Sequence, residues 1–228
     1  MSDENQNNEK LAVAKKAITF IKEGDIVGLG TGSTATLAIK ELAKLIKDGF
    51  KIVAVPSSEA TKELTISLGI PLLALGEVSS IDISIDGADE FTDNFELIKG
   101  GGGALFREKV MASLSKKSII ITDRSKRVEK LGAFKVPVEV NPNAEAYVVS
   151  QLKKLNGYPL KRMKSDKVFK TDNDNYIFDT DFGLIENPTE LSSNLNQIVG
   201  VLAHGIFVNL TSVILMAQGD EVISFTQK

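Results

Sequence analysis

The feature that most constrains the fold is an alternation of short apolar runs with helical periodicity between residues 11 and 122. Apolar runs at 26–29, 51–55, 70–75, 81–85 and 118–122 alternate with segments of helical period at 11–22, 35–46, 60–68 and 104–115. Parallel strands need a crossover between them, usually a helix, so this alternation is typical of a parallel sheet covered on both faces. The sequence therefore predicts an α/β fold with a doubly wound, mostly parallel sheet.

The order of elements changes after residue 131. The pattern then predicts strands at 136–140, 159–164, 175–180 and 201–207, and helices at 143–155 and 188–196. This β-α-β-β-α-β order is typical of a ferredoxin-like unit. Two last strands, 211–216 and 221–225, are predicted to return to the first sheet. We therefore predict an α/β catalytic domain of residues 1–130 plus 208–228, and a smaller α+β domain of residues 131–207.

Composition narrows the classes of function. The 27 Lys and Arg against 30 Asp and Glu give a net charge of −3, which argues against a nucleic-acid binder. With no cysteine and a single histidine, His204, neither disulfides nor a catalytic zinc site is expected. No stretch approaches the ~20 apolar residues of a membrane helix, and the first ten residues are polar. These observations predict a cytoplasmic protein that binds no membrane.

A glycine-rich segment follows the first predicted strand. It has the spacing G-x-G-x-G from Gly28 and continues through Thr31, Gly32, Ser33 and Thr34. Glycines let the backbone approach an anion, while hydroxyls and helix N-terminal N–H groups bind phosphate oxygens. The spacing is neither the dinucleotide fingerprint nor the P-loop. Two interpretations stay open: a phosphate-binding loop, and a tight strand-to-helix turn with a Ser/Thr cap.

Carboxylates crowd the bend after the strand at 81–85. The residues there are Asp86, Gly87, Ala88, Asp89 and Glu90. Ligands of open α/β sheets bind beyond the carboxyl ends of the strands, where this bend is predicted to lie. Mutual repulsion and partial burial would raise the pKa of one carboxyl and let it exchange protons. A solvated acidic turn and a Mg²⁺ site remain alternatives.

A third segment combines a lysine, a glycine run and a glutamate. Four glycines, 100–103, follow Lys99, and Glu108 lies on the next predicted helix. Four consecutive glycines are costly in chain entropy, so a substrate lying against bare backbone is one explanation and a flexible linker is another. Glu108 by itself would be a surface glutamate favoured by the helix dipole. Lys126, after the strand at 118–122, is either an anion contact or a solvated lysine.

The order and spacing of these segments together resemble the ribose-5-phosphate isomerase A family. The strings that carry the resemblance are GLGTGSTA at 28–35, DGADE at 86–90, KGGGGAL at 99–105 and Arg107-Glu108. The similarity continues through Ser125-Lys126 and the strand at 136–140. It covers nearly the whole chain and is looser in the C-terminal third.

The resemblance implies an isomerase that interconverts D-ribose 5-phosphate and D-ribulose 5-phosphate through an enediolate, in the non-oxidative pentose phosphate pathway. It implies no metal and no other cofactor, and a homodimer or homotetramer. The family's proton-transferring glutamate falls on Glu108. Lys99 would stabilise the oxyanion, and Asp86 or Asp89 would move the proton that opens the sugar ring. The substrate-contacting residues of the family fall on Thr31, Gly32, Ser33, Thr34, Asp86, Gly87, Ala88, Asp89, Lys99, Gly100, Gly101, Gly102 and Lys126.

Two other classes of function stay open for such a chain. One is a different enzyme on a similar scaffold, such as a sugar-phosphate lactonase or an acyl-CoA transferase. The other is a non-catalytic sugar-phosphate sensor. An assay with ribose 5-phosphate separates all three.

Overall fold

The computed structural model describes residues 3–219 and 221–227. The α-helices are α1 Asp3–Ile18, α2 Ser33–Lys47, α3 Glu59–Ser67, α4 Leu105–Leu114, α5 Glu145–Lys154 and α6 Pro188–Asn196. The strands are β1 Ile26–Leu29, β2 Val53–Pro56, β3 Ile83–Asp86, β4 Glu90–Phe91, β5 Leu97–Ile98, β6 Ser118–Asp123, β7 Val136–Val140, β8 Tyr158–Lys161, β9 Met163–Lys164, β10 Lys167–Val168, β11 Tyr176–Asp181, β12 Val201–His204, β13 Ile206–Phe207, β14 Val213–Gln218 and β15 Glu221–Thr226. Within the described ranges, no helix is both long and apolar enough to cross a membrane.

The chain divides into two compact units. Unit 1 comprises residues 1–88, 110–126 and 210–228, and unit 2 comprises residues 89–109 and 127–209. The segment 89–109 therefore groups with unit 2, although the sequence-based division assigns it to the first domain. The predicted domains, 1–130 with 208–228 and 131–207, stay a prediction.

Unit 1 is built on a six-stranded sheet in the order β15-β14-β6-β3-β1-β2. All neighbours are parallel except β14 and β15, which form an antiparallel pair. The central strands β3 and β6 are buried along their whole length, which explains why they read as continuous apolar runs. The hydrophobic core joins these strands to α1 and α2, through residues such as Val13, Leu42, Ile85 and Ile121. The predicted doubly wound, mostly parallel sheet is confirmed.

Unit 2 contains a four-stranded antiparallel sheet in the order β12-β7-β11-β8. This is the strand order of the predicted β-α-β-β-α-β pattern, with α5 and α6 as its helices. Its core includes Val138, Val148, Leu152, Phe178 and Leu195. A three-stranded sheet, β13-β5-β4, and the short pair β9–β10 complete this unit and are not evident from the sequence pattern.

Three predicted strands differ from the structure. The strand at 159–164 is divided into β8 and β9, which belong to different sheets. The strand at 70–75 is reduced to one bridge between Leu72 and Ala54, and residues 75–77 form a 3₁₀ turn instead. The strand at 201–207 is divided into β12 and β13 at Gly205. A Cβ at Gly205 would overlap the carbonyl oxygen of Lys99, so this position admits only glycine where the backbones meet.

Candidate active site

The glycine-rich segment of unit 1 connects β1 to α2, and each of its glycines has a separate physical cause. A Cβ on Gly28 would lie 2.8 Å from the Met111 side chain, and one on Gly30 would overlap the Asp86 carboxylate. Gly32 has a φ of 116°, a conformation that L side chains rarely adopt. Helix α2 begins at Ser33 immediately afterwards. The segment thus combines a tight turn with a helix N-terminus.

Exposure at this turn matches an anion-binding role. Gly32 and Ser33 are exposed, and Thr31 and Thr34 are half-buried. The first N–H groups of a helix have no acceptor within the helix, and the helix dipole makes this end favourable for negative charge. The N-cap residue of α2 is Gly32, which has no side chain to cap the helix. The turn is therefore not capped by a Ser or Thr side chain, and the phosphate-binding interpretation stays a prediction.

The acidic bend is fixed to the backbone at three separate places. Asp86 is 4% exposed at the end of β3, and its Oδ1 accepts the N–H groups of Gly87 at 2.7 Å and Thr31 at 3.3 Å. The half-buried Asp89 accepts the N–H of Gly101 at 2.8 Å through Oδ2. Glu90 is buried, and its carboxylate accepts the N–H groups of residues 132 and 134. The bend is therefore an ordered element and not a solvated acidic turn.

These contacts also bear on the Mg²⁺ alternative. Over residues 3–219 and 221–227, no group of three or more His, Cys, Asp or Glu side chains is arranged to hold a metal ion. Between Asp86 and Asp89, Gly87 and Ala88 are half-buried. Asp86, Asp89 and Glu90 each accept hydrogen bonds from backbone N–H groups instead.

Lys126 closes a short 3₁₀ turn, residues 124–126, directly after β6. The turn is held by Asp123, which accepts the N–H and the hydroxyl of Ser125 through the same oxygen, Oδ1. Lys126 is half-buried. It therefore lies beyond the carboxyl end of a central parallel strand, in the position that α/β sheets use for ligand contacts.

The glycine run of unit 2 is a packed turn and not a flexible linker. Gly100 and Gly103 have φ values of 100° and 84°, and a Cβ on Gly103 would lie 2.5 Å from the Phe169 ring. A Cβ on Gly101 would lie 2.7 Å from Asp89 Oδ1. Gly101 and Gly102 are exposed, whereas Gly100 and Gly103 are buried. The turn thus presents bare backbone outward at its centre and is fixed at both ends.

Lys99 and Glu108 form a buried ion pair in unit 2. The Lys99 Nζ lies 3.3 Å from the Glu108 Oε2, and both side chains are 4% exposed. Glu108 occupies the first turn of α4, where the helix dipole favours a negative charge. The surface interpretation of this glutamate is therefore wrong. Burying two charges is costly unless they are paired, so the chain holds this acid–base pair at an energetic cost that packing elsewhere must offset.

The face of one aromatic ring lies beside two lysines of this unit. The Phe207 ring centroid is 5.5 Å from the Lys99 Nζ and 4.8 Å from the Lys109 Nζ. Lys109 also donates to the Ile206 carbonyl at 2.9 Å and contacts His204 Nδ1 at 3.3 Å. Burial lowers the pKa of the Lys109 ammonium to about 7. Lys109, the residue after Glu108, therefore loses its charge much more readily than an exposed lysine.

His204 is a structural residue of the same region. Burial, and secondly the charge of Lys109, lower its pKa to about 3, so the ring is neutral at neutral pH. Nδ1 accepts the Ile206 N–H at 3.2 Å, which places the ring hydrogen on Nε2, within 3.1 Å of Asn196 Oδ1. The ring is therefore engaged on both nitrogens and holds β12 and β13 together.

Arg162 is a site-supporting residue that the sequence analysis missed. Its Nη1 donates to the carbonyls of Gly100 at 3.0 Å and Gly101 at 3.1 Å, while Nε and Nη2 form a bidentate pair with Asp179. The guanidinium thus fixes the orientation of two peptide groups in the glycine run. An arginine sixty residues away in sequence carries no local signal, and only the pairing of β8 with β11 brings it here.

Within each unit, the structure brings several of the predicted residues together. In unit 1, Thr31, Asp86 and Gly87 share hydrogen bonds. In unit 2, Lys99 pairs with Glu108, and Asp89 with Gly101. A buried acid, a buried cation and outward-facing backbone are the groups that proton transfer next to a carbonyl requires.

Comparison with known proteins gives a consistent result. The family model for ribose 5-phosphate isomerase A (phosphoriboisomerase A) matches residues 53–221. Ribose-5-phosphate isomerase A of Desulfatibacillum aliphaticivorans is 45% identical over 221 residues, which cover 95% of this chain and 96% of that protein. The corresponding protein of Sphingopyxis alaskensis is 44% identical over 214 residues, 94% of each chain.

Solved structures agree in fold. Ribose 5-phosphate isomerase A of Methanocaldococcus jannaschii superimposes with a TM-score of 0.91 at 37% identity, covering 96% of this chain and 98% of that one. The ribose 5-phosphate isomerase of Plasmodium falciparum gives a TM-score of 0.92 at 37% identity, covering 98% and 99%. Identity at this level over nearly the full length of both chains shows common descent as well as a common fold. The chain belongs to the ribose-5-phosphate isomerase A family.

Proposed function

We propose that this chain interconverts D-ribose 5-phosphate and D-ribulose 5-phosphate by proton transfer through an enediolate, with Glu108 as the base. The isomerase activity is that of the family, and the assignment of steps to individual residues is our proposal. The observation that carries it is the buried Lys99–Glu108 pair, 3.3 Å apart, adjoining the glycine run.

The isomerisation moves one carbon-bound proton and one hydroxyl proton. Glu108 would take the proton from C2 of the open-chain aldose and return it to C1, while the O2 hydroxyl proton moves to O1. A single carboxylate is sufficient, because the same group that removes the proton then delivers it. Lys99 and the N–H groups of Gly100–Gly102 would stabilise the negative oxygen of the enediolate.

Ring opening needs a further proton transfer, because ribose 5-phosphate is mainly cyclic. Asp86 and Asp89 are the candidates, and each has one carboxylate oxygen engaged by backbone N–H groups. These hydrogen bonds fix the orientation of the carboxylates, as a base that accepts a sugar hydroxyl proton requires. Gly87 and Ala88 would contact the sugar through their backbone.

The phosphate is assigned to the segment Thr31–Thr34 of unit 1 and to Lys126. The exposed Gly32 and Ser33 at the start of α2 support this assignment. A related structure, 36% identical with a TM-score of 0.92, is a D-ribose-5-phosphate isomerase in complex with phospho-erythronic acid, a phosphorylated sugar acid. Anchoring a remote phosphate supplies binding energy that positions the reacting carbons.

The alternative classes are not favoured. A lactonase, an acyl-CoA transferase or a sensor on this scaffold would leave the high identity to ribose-5-phosphate isomerases over nearly the full chain without explanation. The buried acid–base pair is also an arrangement that a non-catalytic sensor does not need, since it costs stability.

The direct test is an isomerase assay on ribose 5-phosphate after exhaustive dialysis against EDTA. We expect ribulose 5-phosphate to form at an unchanged rate, because the proposed steps use only carboxylates, an ammonium and backbone donors. Loss of activity that Mg²⁺ or Mn²⁺ restores would instead make Asp86 and Asp89 metal ligands. No turnover in either condition would contradict the proposed function.

The phosphate assignment predicts a specific kinetic pattern. Inorganic phosphate should compete with the substrate, and free ribose should be a very poor substrate. Ser33→Ala should raise KM about tenfold or more with little change in kcat, the size expected for a hydrogen bond to a charged group. The matched control is Ser67→Ala at the exposed end of α3, whose hydroxyl donates to the carbonyl of Leu64 in its own helix. Equal turnover of ribose and ribose 5-phosphate would contradict the assignment.

We also propose that the chain acts in the cytoplasm as a homodimer or homotetramer. Support for self-association comes from the edge strand β8, where Tyr158 is 76% and Leu160 is 59% exposed. Large apolar side chains grouped on an edge strand are typical of surfaces that a partner covers. Light scattering of the purified chain gives the number of copies.

A further inference from the structure

Four hydroxyl groups meet beneath the glycine-rich segment of unit 1. The Thr31 Oγ1 lies 2.9 Å from Ser57 Oγ and 2.8 Å from Ser58 Oγ. Ser58 Oγ lies 3.0 Å from Thr61 Oγ1, which is 2.9 Å from the carbonyl oxygen of Gly30. Ser57, Ser58 and Thr61 are at most 5% exposed. Buried hydroxyls are costly unless they are hydrogen-bonded, so a cluster of this kind needs a fixed arrangement.

Counting hydrogens assigns a direction to the four shorter hydrogen bonds of this cluster, those of 3.0 Å or less. Each hydroxyl has one hydrogen, and a carbonyl oxygen can only accept. Thr61 must therefore donate to the Gly30 carbonyl, Ser58 to Thr61, Thr31 to Ser58, and Ser57 to Thr31. This is the one assignment that places a hydrogen in all four of these shorter contacts; a fifth, between Thr31 Oγ1 and Thr61 Oγ1 at 3.3 Å, then has no hydrogen of its own. The cluster is a one-way chain that begins at Ser57 and ends on the backbone of the turn.

This chain of hydrogen bonds contacts the glycine-rich turn at two adjacent points. It engages the side chain of Thr31 and, at its other end, the peptide carbonyl immediately before Thr31. The Thr31 hydroxyl hydrogen is used by Ser58, which leaves Ser33 and Thr34 as the hydroxyl donors of this segment toward an anion. Thr31 thus contributes mainly to the shape of the segment.

The same atoms begin helix α3. Ser58 is the N-cap of α3, and its Oγ accepts the Thr61 N–H at 3.1 Å. Ser57 continues the strand ladder, since its N–H donates to the Leu29 carbonyl at 3.0 Å. The start of α3 and the conformation of the glycine-rich segment are therefore determined by one set of hydrogen bonds.

We propose that Ser57, Ser58 and Thr61 are positioning residues, which fix the phosphate-binding segment Thr31–Thr34 through the Thr31 hydroxyl and the Gly30 carbonyl. The inference rests on the phosphate role proposed for that segment. If these hydroxyls only stabilised α3, the Ser58–Thr61 contact would be sufficient. The hydrogen bonds instead reach both the Gly30 carbonyl and the Thr31 side chain, on either side of one peptide bond.

The test compares three variants of α3 by KM, kcat and inhibition by inorganic phosphate. Thr61→Val keeps the shape of the side chain but removes the hydroxyl that donates to the Gly30 carbonyl. It should raise KM for ribose 5-phosphate and the inhibition constant of phosphate by about 3- to 30-fold, with kcat nearly unchanged, because a binding segment loses its fixed shape. Thr61→Ser keeps the hydroxyl and should restore both constants to near the wild-type values.

The matched control is Thr65→Val, one helical turn further along α3. Thr65 is fully buried, and its hydroxyl donates to the Thr61 carbonyl at 2.7 Å. This hydrogen bond is not one of those that link Ser57 to the Gly30 carbonyl. It should lower the melting temperature without changing KM. If Thr61→Val and Thr65→Val change KM equally, the hydroxyls serve packing only and the inference is wrong.

A second variant and two properties of the wild-type enzyme make the outcome of the test unambiguous. Should Thr61→Val fail to fold, Ser58→Ala removes the centre of the same chain and carries the same expected rise in KM. If the wild-type enzyme is inhibited by phosphate and rejects free ribose while both variants keep a normal KM, this inference alone is wrong. If the wild-type enzyme shows neither property, the phosphate role fails and the inference fails with it.

Discussion

Glu108→Gln should lower kcat by roughly 10²–10⁴-fold, the range for losing general acid–base catalysis. The substitution keeps the size and helix propensity of the residue but removes the basic oxygen next to Lys99. In deuterated water, the wild-type enzyme should incorporate solvent deuterium at the carbon that receives the proton, and the variant should not. Substrate affinity should change little, because Glu108 acts on the bound sugar without anchoring it.

The buried pair requires a stability control for this experiment. Without the carboxylate, the Lys99 ammonium loses its partner at 3.3 Å, so the variant should also melt at a lower temperature. Turnover is therefore compared well below the melting temperature of the variant. Glu145→Gln is the matched control, since Glu145 also lies in a first helical turn beside a lysine, Lys161, and should keep normal turnover. If the folded Glu108→Gln variant keeps near-wild-type turnover, Glu108 is not the base, and Asp86 and Asp89 become the candidates.

Lys99→Met should reduce both stability and turnover. It removes the cation 3.3 Å from the buried Glu108 carboxylate, and breaking a buried ion pair typically costs about 3–5 kcal/mol of unfolding free energy. Loss of the oxyanion-stabilising ammonium should lower kcat by about 10²–10³-fold. Denaturant unfolding and steady-state kinetics measure the two effects separately.

The double variant Lys99→Met with Glu108→Gln separates charge burial from catalysis. Removing both charges should recover much of the lost stability, because the two charges that compensate each other are removed together, while turnover should stay low. Lys116→Met is the control: Lys116 pairs with Asp82 at 2.7 Å but is 67% exposed, so its loss should hardly change the melting temperature. Additive stability losses in the double variant would show that Lys99 and Glu108 are not energetically coupled.

The fold could be predicted from the sequence because local patterns and long-range pairing agree in most elements. Strand β1 and helix α6 have the predicted bounds, 26–29 and 188–196, since each combines a clear period with a clear stop. The strand prediction at 70–75 is wrong because an apolar run does not show whether a neighbouring strand is free to pair with it along its length. Leu72 makes one bridge, and Leu73 is 37% exposed.

The site could be predicted only where a motif concentrates it. The glycine run drew attention to Lys99 and Glu108, but their ion pair depends on how α4 packs after a turn with two positive φ values. Arg162 and the Ser57–Thr61 hydroxyls had no such indication, because serine, threonine and arginine are ordinary surface residues in sequence. Their roles arise from contacts across tens of residues, which no local pattern encodes.

The overlap between Gly30 and Asp86 makes these two positions dependent on each other. Any side chain at Gly30 would occupy the space of the Asp86 carboxylate. A larger residue at position 30 is therefore tolerable only if position 86 becomes smaller, and a smaller residue at 86 would cost the hydrogen bonds to Thr31 and Gly87. The effect of a mutation at either position thus depends on the residue at the other, a case of epistasis with a steric cause. Laboratory evolution of this enzyme should find these two positions changing together or not at all.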